Sequence, residues 1–153
     1  MTAGYGSQQD VILAIDDESE FLRLLKFALE TQGYSVHAAS DPNEGIRFYG
    51  ERWRSISMVL LDYLLPEMSG DLVFENLQRL NPEVRVVLVT GCDESVAENM
   101  VKKGLWGYVQ KPFDLPDLAR RVRDAINAPA RAASPAPARS AHPADGGGSN
   151  LGN

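Results

Sequence analysis

Short apolar segments alternate with amphipathic segments between residues 10 and 127. The alternation is repeated five times, which is typical of βα units that build a parallel sheet. Three of the apolar segments contain almost no polar residue, as expected for strands that are buried on both faces. The sequence therefore predicts five strands, at residues 11–15, 35–39, 58–61, 84–89 and 107–109.

The segments between these strands carry signals for the ends of helices. Ser19 can cap a first helix, and Gly33 lies where a C-terminal glycine is expected. The apolar stripe of this helix is predicted to contain Phe21, Leu22, Leu25, Ala28 and Leu29. A capping Asp41 before Pro42, with Glu44 three positions after the cap, predicts the start of a second helix. Three more helices are predicted over residues 71–79, from Asp93 or Ser95 to near Gly104, and from Leu115-Pro116-Asp117 onward.

The order of these elements predicts the fold class and the domain limits. Crossovers between parallel strands are right-handed, so helices must cover both faces of the sheet. We therefore predict an α/β fold of three layers, doubly wound, as one domain over residues 10–127. Residues 1–9 are predicted to be an N-terminal extension. Residues 128–153 are rich in Ala, Pro and Gly, a composition that cannot build a core and predicts a disordered tail or a linker.

Composition and charge narrow the classes of function. The chain has 15 Lys and Arg against 21 Asp and Glu, and its net charge of −6 has the wrong sign for binding nucleic-acid phosphates. No apolar run reaches the roughly 18 residues of a membrane span, and the N-terminus lacks the blocks of a signal peptide, so a cytoplasmic location is expected. A single cysteine and two histidines exclude an internal disulfide and disfavour a structural zinc site.

Polar residues follow four of the predicted strands. Asp16 and Asp17 follow the first strand, Asp62 the third, Thr90 the fourth and Lys111 the fifth. Each has an ordinary explanation when it is taken alone, such as a helix cap, a turn residue or an exposed lysine. The carboxyl ends of parallel strands meet at one edge of a sheet, however, where ligands bind in this class of fold. The set as a whole therefore favours a functional site.

The three carboxylates of this set predict a metal site. Crowded carboxylates repel one another unless a cation joins them. Oxygen ligands at a site open to water favour Mg²⁺, which takes one or two carboxylates together with water and phosphate oxygens. Asp62 could then act as a nucleophile, because a carboxylate needs no general base and phosphoryl transfer depends mostly on positioning and charge neutralisation. Lys111 and the Thr90 hydroxyl could stabilise the transferred oxygens.

Four segments resemble the signature segments of response-regulator receiver domains, the CheY-like superfamily of two-component signal transduction. They are residues 15–18 (IDDE), 61–70 (LDYLLPEMSG), 89–91 (VTG) and 107–113 (GYVQKPF). Pro66 and Gly70, four and eight positions after Asp62, also follow the family pattern. The resemblance extends over about residues 11–127. It implies a flavodoxin-like (βα)5 fold with the strand order 2-1-3-4-5.

The resemblance implies a phosphoacceptor and a metal site. By this resemblance, Asp62 takes a phosphoryl group from a phosphohistidine. Mg²⁺ would be held by Asp17, Asp62 and the backbone carbonyl of Leu64, with Asp16 acting through water. Such a domain is a signalling switch rather than an enzyme, although it supports its own phosphotransfer and autodephosphorylation.

The resemblance also implies how the switch works. Lys111 would bind the phosphoryl oxygens, Thr90 would move toward them, and Tyr108 would turn into the space that Thr90 vacates. Pro112 implies a cis Lys111–Pro112 peptide that aims the lysine into the site.

The implied partners are proteins. They are a sensor histidine kinase or a histidine phosphotransfer protein, a downstream protein target, and a second copy bound through the face of helix 4, strand 5 and helix 5. We expect no direct contact with nucleic acid or membrane. Trp106, just before the fifth strand, either packs against helix 4 or 5 or anchors a partner. The sequence leaves open whether the chain is a stand-alone regulator, a phosphorelay intermediate or the receiver of a hybrid kinase.

Two other functions fit part of the pattern. An aspartyl-phosphate hydrolase of the haloacid-dehalogenase type also uses an Asp after a strand together with Mg²⁺, but it expects a second Asp where this chain has Leu64. A flavodoxin-like cofactor binder needs a phosphate-cradling loop after the first strand, and that loop is acidic here. The receiver interpretation is therefore preferred.

Overall fold

The computed structural model describes residues 8–129, and in this part of the chain five parallel strands form one sheet. The strand order is β2-β1-β3-β4-β5, which confirms the predicted fold. The strands are β1 Val11–Ile15, β2 Ser35–Ala39, β3 Ile56–Leu61, β4 Val86–Thr90 and β5 Gly107–Gln110.

Helices connect the strands and cover both faces of the sheet. They are α1 Ser19–Glu30, α2 Pro42–Arg52, α3 Gly70–Leu80, α4 Glu94–Lys102 and α5 Leu115–Asn127, with a short 3₁₀ turn at Trp53–Ser55. Among residues 8–129, none of these helices is long and apolar enough to cross a membrane.

The hydrophobic core lies in two layers, one on each face of the sheet, because successive strand residues point to opposite sides. In β1, Leu13 and Ile15 join a first core cluster together with α2, α3 and α4. Ile12 and Ala14 join a second core cluster with α1 and α5. Burial on both faces explains why the strand reads as a continuous apolar run.

Capping residues explain where α2 begins and where α1 ends. The Asp41 carboxylate accepts a hydrogen bond from the Asn43 N–H at 2.8 Å, and Pro42 is the first residue of α2, as predicted. Gly33 follows α1 with a φ of 97°, a conformation that favours glycine. The prediction for Ser19 was wrong, because Glu18 holds the cap position and Ser19 is already helical.

The reason for this difference lies in the preceding loop. The Asp16 carboxylate accepts from the Glu18 N–H at 2.9 Å, a local turn of the type that aspartate favours, and this turn brings Glu18 to the start of the helix.

Several predicted boundaries differ from the observed ones. β3 starts two residues earlier than predicted, at Ile56. β4 starts two residues later, because the Val84 N–H donates to the Asn81 carbonyl in a turn at 3.0 Å. β4 also includes Thr90, which pairs with Gln110 in β5. α3 is one residue longer than predicted at each end, and α4 begins after Asp93.

The predicted chain ends fall mostly outside the described residues. Of the predicted N-terminal extension, only residues 8 and 9 are described, and the predicted tail is described only at residues 128 and 129.

Candidate functional site

Three carboxylates meet at the carboxyl edge of the sheet. Ile15 and Leu61 are paired across β1 and β3, so the residues that follow them, Asp16 and Asp62, emerge side by side. The Asp62 N–H donates to the Ile15 carbonyl at 3.0 Å, which extends the ladder up to the site. Asp16, Asp17 and Asp62 each offer an oxygen atom within 4.8 Å of the other two. The topology thus joins residues that are more than forty positions apart.

The donor set of this cluster fits a hard divalent cation. All the ligand atoms are carboxylate oxygens, and Asp17 is exposed while Asp16 and Asp62 are buried. The cluster is therefore accessible to water on one side, as Mg²⁺ requires because it keeps several waters when bound. Burial raises the pKa of Asp16, and the hydrogen bond from the Glu18 N–H and the charge of Lys111 offset part of that rise.

Lys111 directly follows β5 and places a positive charge next to the carboxylates. Its ammonium nitrogen lies 3.1 Å from Asp16 Oδ2 and 3.9 Å from Asp62 Oδ2. The Lys111 N–H donates to the Thr90 carbonyl at 2.9 Å, and the Lys111–Pro112 peptide is cis. Lys111 is therefore held to the end of β4 by its backbone and to Asp16 by its side chain.

An aromatic ring in the first turn of α1 also holds this ammonium group. Lys111 Nζ lies 4.4 Å from the centroid of the Phe21 ring, within the range of cation–π attraction. Phe21 in turn makes an edge-to-face contact with Phe113. Phe21 is predicted from the sequence only as part of the apolar stripe of the first helix. Its position one helical turn after Asp17 was the available signal for a second role at the site.

Thr90 and Tyr108 lie on the side of the site formed by β4 and β5. Thr90 is fully buried, and its Oγ1 accepts from the Cys92 N–H at 3.3 Å. The Tyr108 hydroxyl donates to Glu94 Oε1 at 3.0 Å near the start of α4, and this hydrogen bond raises the pKa of Tyr108. The tyrosine ring therefore faces α4 in this structure rather than Thr90.

The loop between β3 and α3 positions the central carboxylate. The Leu64 N–H donates to Asp62 Oδ1 at 3.3 Å, while the Leu64 side chain is 61% exposed. The Tyr63 hydroxyl donates to Asp71 Oδ2 at 2.7 Å, which raises the pKa of Tyr63 to about 12. Neither Tyr63 nor Asp71 is among the predicted site residues, because a tyrosine and an aspartate eight positions apart form no recognisable sequence pattern.

Trp106 lies away from the carboxylates, just before β5. It is half-buried against the second core cluster, and the Arg85 guanidinium lies 4.9 Å from its ring centroid. This environment agrees with the packing interpretation of Trp106, whereas its role as a partner anchor stays a prediction.

Comparisons with known proteins identify the family of this chain. A family model described as response regulator receiver domain matches residues 12–123. The chain is 35% identical over 117 residues to the uncharacterized transcriptional regulatory protein YkoG of Bacillus subtilis, covering 75% of this chain and 50% of YkoG. It is 28% identical over 116 residues to the sensor kinase CckA of Brucella abortus, covering 75% of this chain and 12% of CckA. The chain thus spans half the length of one curated relative and a small part of the other.

A solved structure has a similar fold. It is the crystal structure of a response regulator receiver domain protein from Clostridium thermocellum, with 35% sequence identity and a TM-score of 0.74. The match covers 77% of this chain and 94% of that chain.

Proposed function

Because the chain belongs to the response-regulator receiver family, we propose that Asp62 is its phosphoacceptor. The donor is a phosphohistidine of a sensor histidine kinase or of a histidine phosphotransfer protein. The observation that carries this proposal is the convergence of Asp16, Asp17 and Asp62 within 4.8 Å, with the Lys111 ammonium 3.9 Å from Asp62. A receiver domain is a signalling switch, and phosphorylation of the acceptor carboxylate would change its state.

The carboxylate cluster would hold the metal ion. Asp17, Asp62 and the Leu64 carbonyl are the proposed ligands, and Asp16 acts through water. When bound, Mg²⁺ would supply positive charge that offsets the carboxylates and the transferred oxygens. Lys111 contributes a second positive charge from the end of β5, 3.9 Å from Asp62 Oδ2.

The transfer requires little covalent chemistry from the protein. A carboxylate oxygen of Asp62 forms a bond to phosphorus while the phosphorus–nitrogen bond of the phosphohistidine breaks, and the imidazole leaves with the electron pair of that bond. The Lys111 ammonium and the Thr90 hydroxyl then bind the oxygens of the phosphoryl group. Attack of water on the same phosphorus would break its bond to the Asp62 oxygen, release inorganic phosphate and return Asp62 to its free carboxylate, which is the proposed route of autodephosphorylation.

The switch would be read at the face formed by α4, β5 and α5. Once Thr90 turns toward the phosphoryl group, Tyr108 can leave Glu94 and move inward. Tyr108 and Glu94 line a groove on this face together with Trp106 and Arg121. Changes in Tyr108 would therefore alter the surface that a downstream protein, or a second copy of the chain, contacts.

Net charge and the curated relatives support the proposed partners. The net charge of −6 favours protein partners over nucleic acid. One curated relative, CckA, is a sensor kinase, and a kinase or phosphotransfer protein is accordingly the proposed donor here. We place this exchange in the cytoplasm.

Labelling with radioactive acetyl phosphate tests the proposal. The full chain, Asp62→Asn, Lys111→Ala and a control variant, Asp93→Asn, are incubated with the label and Mg²⁺. Asp93 is an exposed acidic residue before α4, so its variant matches the charge change at Asp62. We expect label on the wild type and on Asp93→Asn, slower labelling of Lys111→Ala, and none on Asp62→Asn or after addition of EDTA. Equal labelling of Asp62→Asn would reject Asp62 as the acceptor.

A further inference from the structure

A hydrogen bond between side chains joins the β3–α3 loop to α3. The Tyr63 hydroxyl donates to Asp71 Oδ2 at 2.7 Å, the usual distance for a hydroxyl and a carboxylate, in a partly buried contact. A hydrogen bond to a carboxylate is stronger than one between neutral groups. The Tyr63 ring also packs against the first core cluster, so the hydroxyl has little freedom to move.

The backbone of Tyr63 closes the same loop. Its carbonyl accepts from the Gly70 N–H at 2.9 Å and from the Leu65 N–H at 3.2 Å. Gly70 comes so close that an added Cβ would lie 2.7 Å from Tyr63 Cα. Both ends of the loop therefore meet at Tyr63, which is tied to α3 by its backbone and by its side chain.

This closed loop carries the group that orients the reactive carboxylate. The Leu64 N–H donates to Asp62 Oδ1, and the other oxygen of Asp62 is the one nearest Lys111. Leu64 follows Tyr63 directly, so a shift of Tyr63 would move both the Leu64 N–H and the Leu64 carbonyl. The rotation of the Asp62 carboxylate therefore depends on how firmly Tyr63 is held.

We propose that Tyr63 and Asp71 are positioning residues, whose hydrogen bond holds Leu64 and Asp62 in the arrangement that binds a divalent cation. This inference rests on the proposed function, since it assigns a role to the loop that presents the acceptor. The pair acts through Leu64 and has no need to touch the cation or the phosphoryl group.

The test measures Mg²⁺ affinity by NMR titration of the full chain, following the Leu64 amide, together with unfolding in urea. Tyr63→Phe removes only the hydroxyl and should weaken Mg²⁺ binding about three- to ten-fold, the range expected for one lost hydrogen bond. Asp71→Ala should weaken it equally. Asp71→Asn, whose amide oxygen can still accept, should restore most of the affinity. The double variant of Tyr63→Phe and Asp71→Ala should be no weaker than either single variant.

Tyr49→Phe is the matched control. The Tyr49 hydroxyl accepts from the Asn81 side chain at 3.0 Å in a partly buried contact at the opposite edge of the sheet. Its loss should lower the stability of the protein and leave both the Mg²⁺ affinity and the Leu64 amide resonance unchanged. This comparison separates a positioning role from a general loss of stability.

Two results would overturn the inference. One is an unchanged Mg²⁺ affinity in Tyr63→Phe, and the other is an equal loss of affinity in Tyr49→Phe. Failure of the proposed function gives a different result, because wild-type protein would then take no label on Asp62 whatever the Mg²⁺ affinity of the Tyr63 variant.

Discussion

The ammonium nitrogen of Lys111 lies 3.1 Å from Asp16 Oδ2, although the two residues are 95 positions apart in the chain. The distance from the same nitrogen to Asp62 is longer, at 3.9 Å. In this state the lysine therefore neutralises the buried Asp16 more directly than it does the proposed acceptor. Because Asp16 and Asp62 share one cationic side chain, removal of that side chain and addition of a metal ion should have opposite effects on stability.

The first prediction concerns Lys111→Met. Without Mg²⁺, this variant leaves Asp16 buried beside other carboxylates without its lysine, so we expect it to lose about 1–3 kcal/mol of unfolding free energy. Mg²⁺ replaces the missing charge and should raise the urea midpoint more in Lys111→Met than in the wild type. Lys26→Met is the control, since Lys26 forms an exposed pair with Glu30 in α1. An equal response to Mg²⁺ in all three proteins would contradict the prediction.

The second prediction concerns pH and Asp16. Its pKa is raised in the folded protein by burial, so the native state holds this proton more tightly than the unfolded chain does. Stability is therefore lost as the pH rises from the unfolded value of 3.8 through the raised native value. Asp16→Asn cannot ionise and should gain stability relative to wild type across that window.

Urea unfolding in EDTA between about pH 4 and pH 7 measures this difference in stability. Asp93→Asn, an exposed residue, is the control for the change in net charge. A difference between Asp16→Asn and wild type that stays constant with pH would refute the prediction.

The third prediction concerns Gly70→Ala. The new Cβ would lie 2.7 Å from Tyr63 Cα and 3.2 Å from the Asp62 carbonyl oxygen, so backbone must move. We expect a loss of about 1–3 kcal/mol in unfolding free energy, together with weaker Mg²⁺ binding. Gly50→Ala is the control. Gly50 lies inside α2, and its new Cβ would lie 3.6 Å from Leu80 Cδ1, an ordinary van der Waals distance. That variant should gain about 0.5–1 kcal/mol, as alanine does in a helix interior.

The fourth prediction concerns Arg85→Ala. Arg85 Nη1 donates to the carbonyls of Ala125 and Ile126 at 2.5 and 3.0 Å, and the guanidinium lies over the Trp106 ring. Its loss should lower the unfolding free energy by about 1.5–3 kcal/mol, since charged hydrogen bonds to partly buried groups are strong. Hydrogen exchange should become faster in the last turn of α5. Arg79→Ala, which breaks an exposed pair within α3, should change stability by less than about 0.5 kcal/mol.

The fifth prediction concerns Leu64→Asn. The Leu64 side chain is exposed next to Asp62 and offers no hydrogen bond to an attacking water. An amide at this position could orient that water, so we expect faster loss of phosphate from the labelled protein. The decay of the label after removal of acetyl phosphate measures this rate. The same decay rate in both proteins would speak against a role for the Leu64 side chain.

Local sequence patterns were sufficient for most of the fold. The strands at Val11–Ile15 and Ser35–Ala39 were predicted with their observed bounds. For Val11–Ile15 the reason is burial on both faces of the sheet, which leaves a continuous apolar run with sharp ends. Val84 misled the prediction of β4, since an apolar residue in a turn looks the same in sequence as one in a strand. The predicted cap at Ser19 was wrong by one residue, because the turn at Asp16 brings Glu18 to the cap position.

The sequence by itself also determined that carboxylates and a lysine would follow the strands. Position along the chain is enough for this, because all parallel strands end at one edge. Only the tertiary structure decided how those side chains pair: Lys111 with Asp16 and the Phe21 ring, Tyr63 with Asp71, and Arg85 with the end of α5. Such pairs depend on the strand register and on how each helix packs on the sheet. A pattern of neighbours along the chain carries no information about either one.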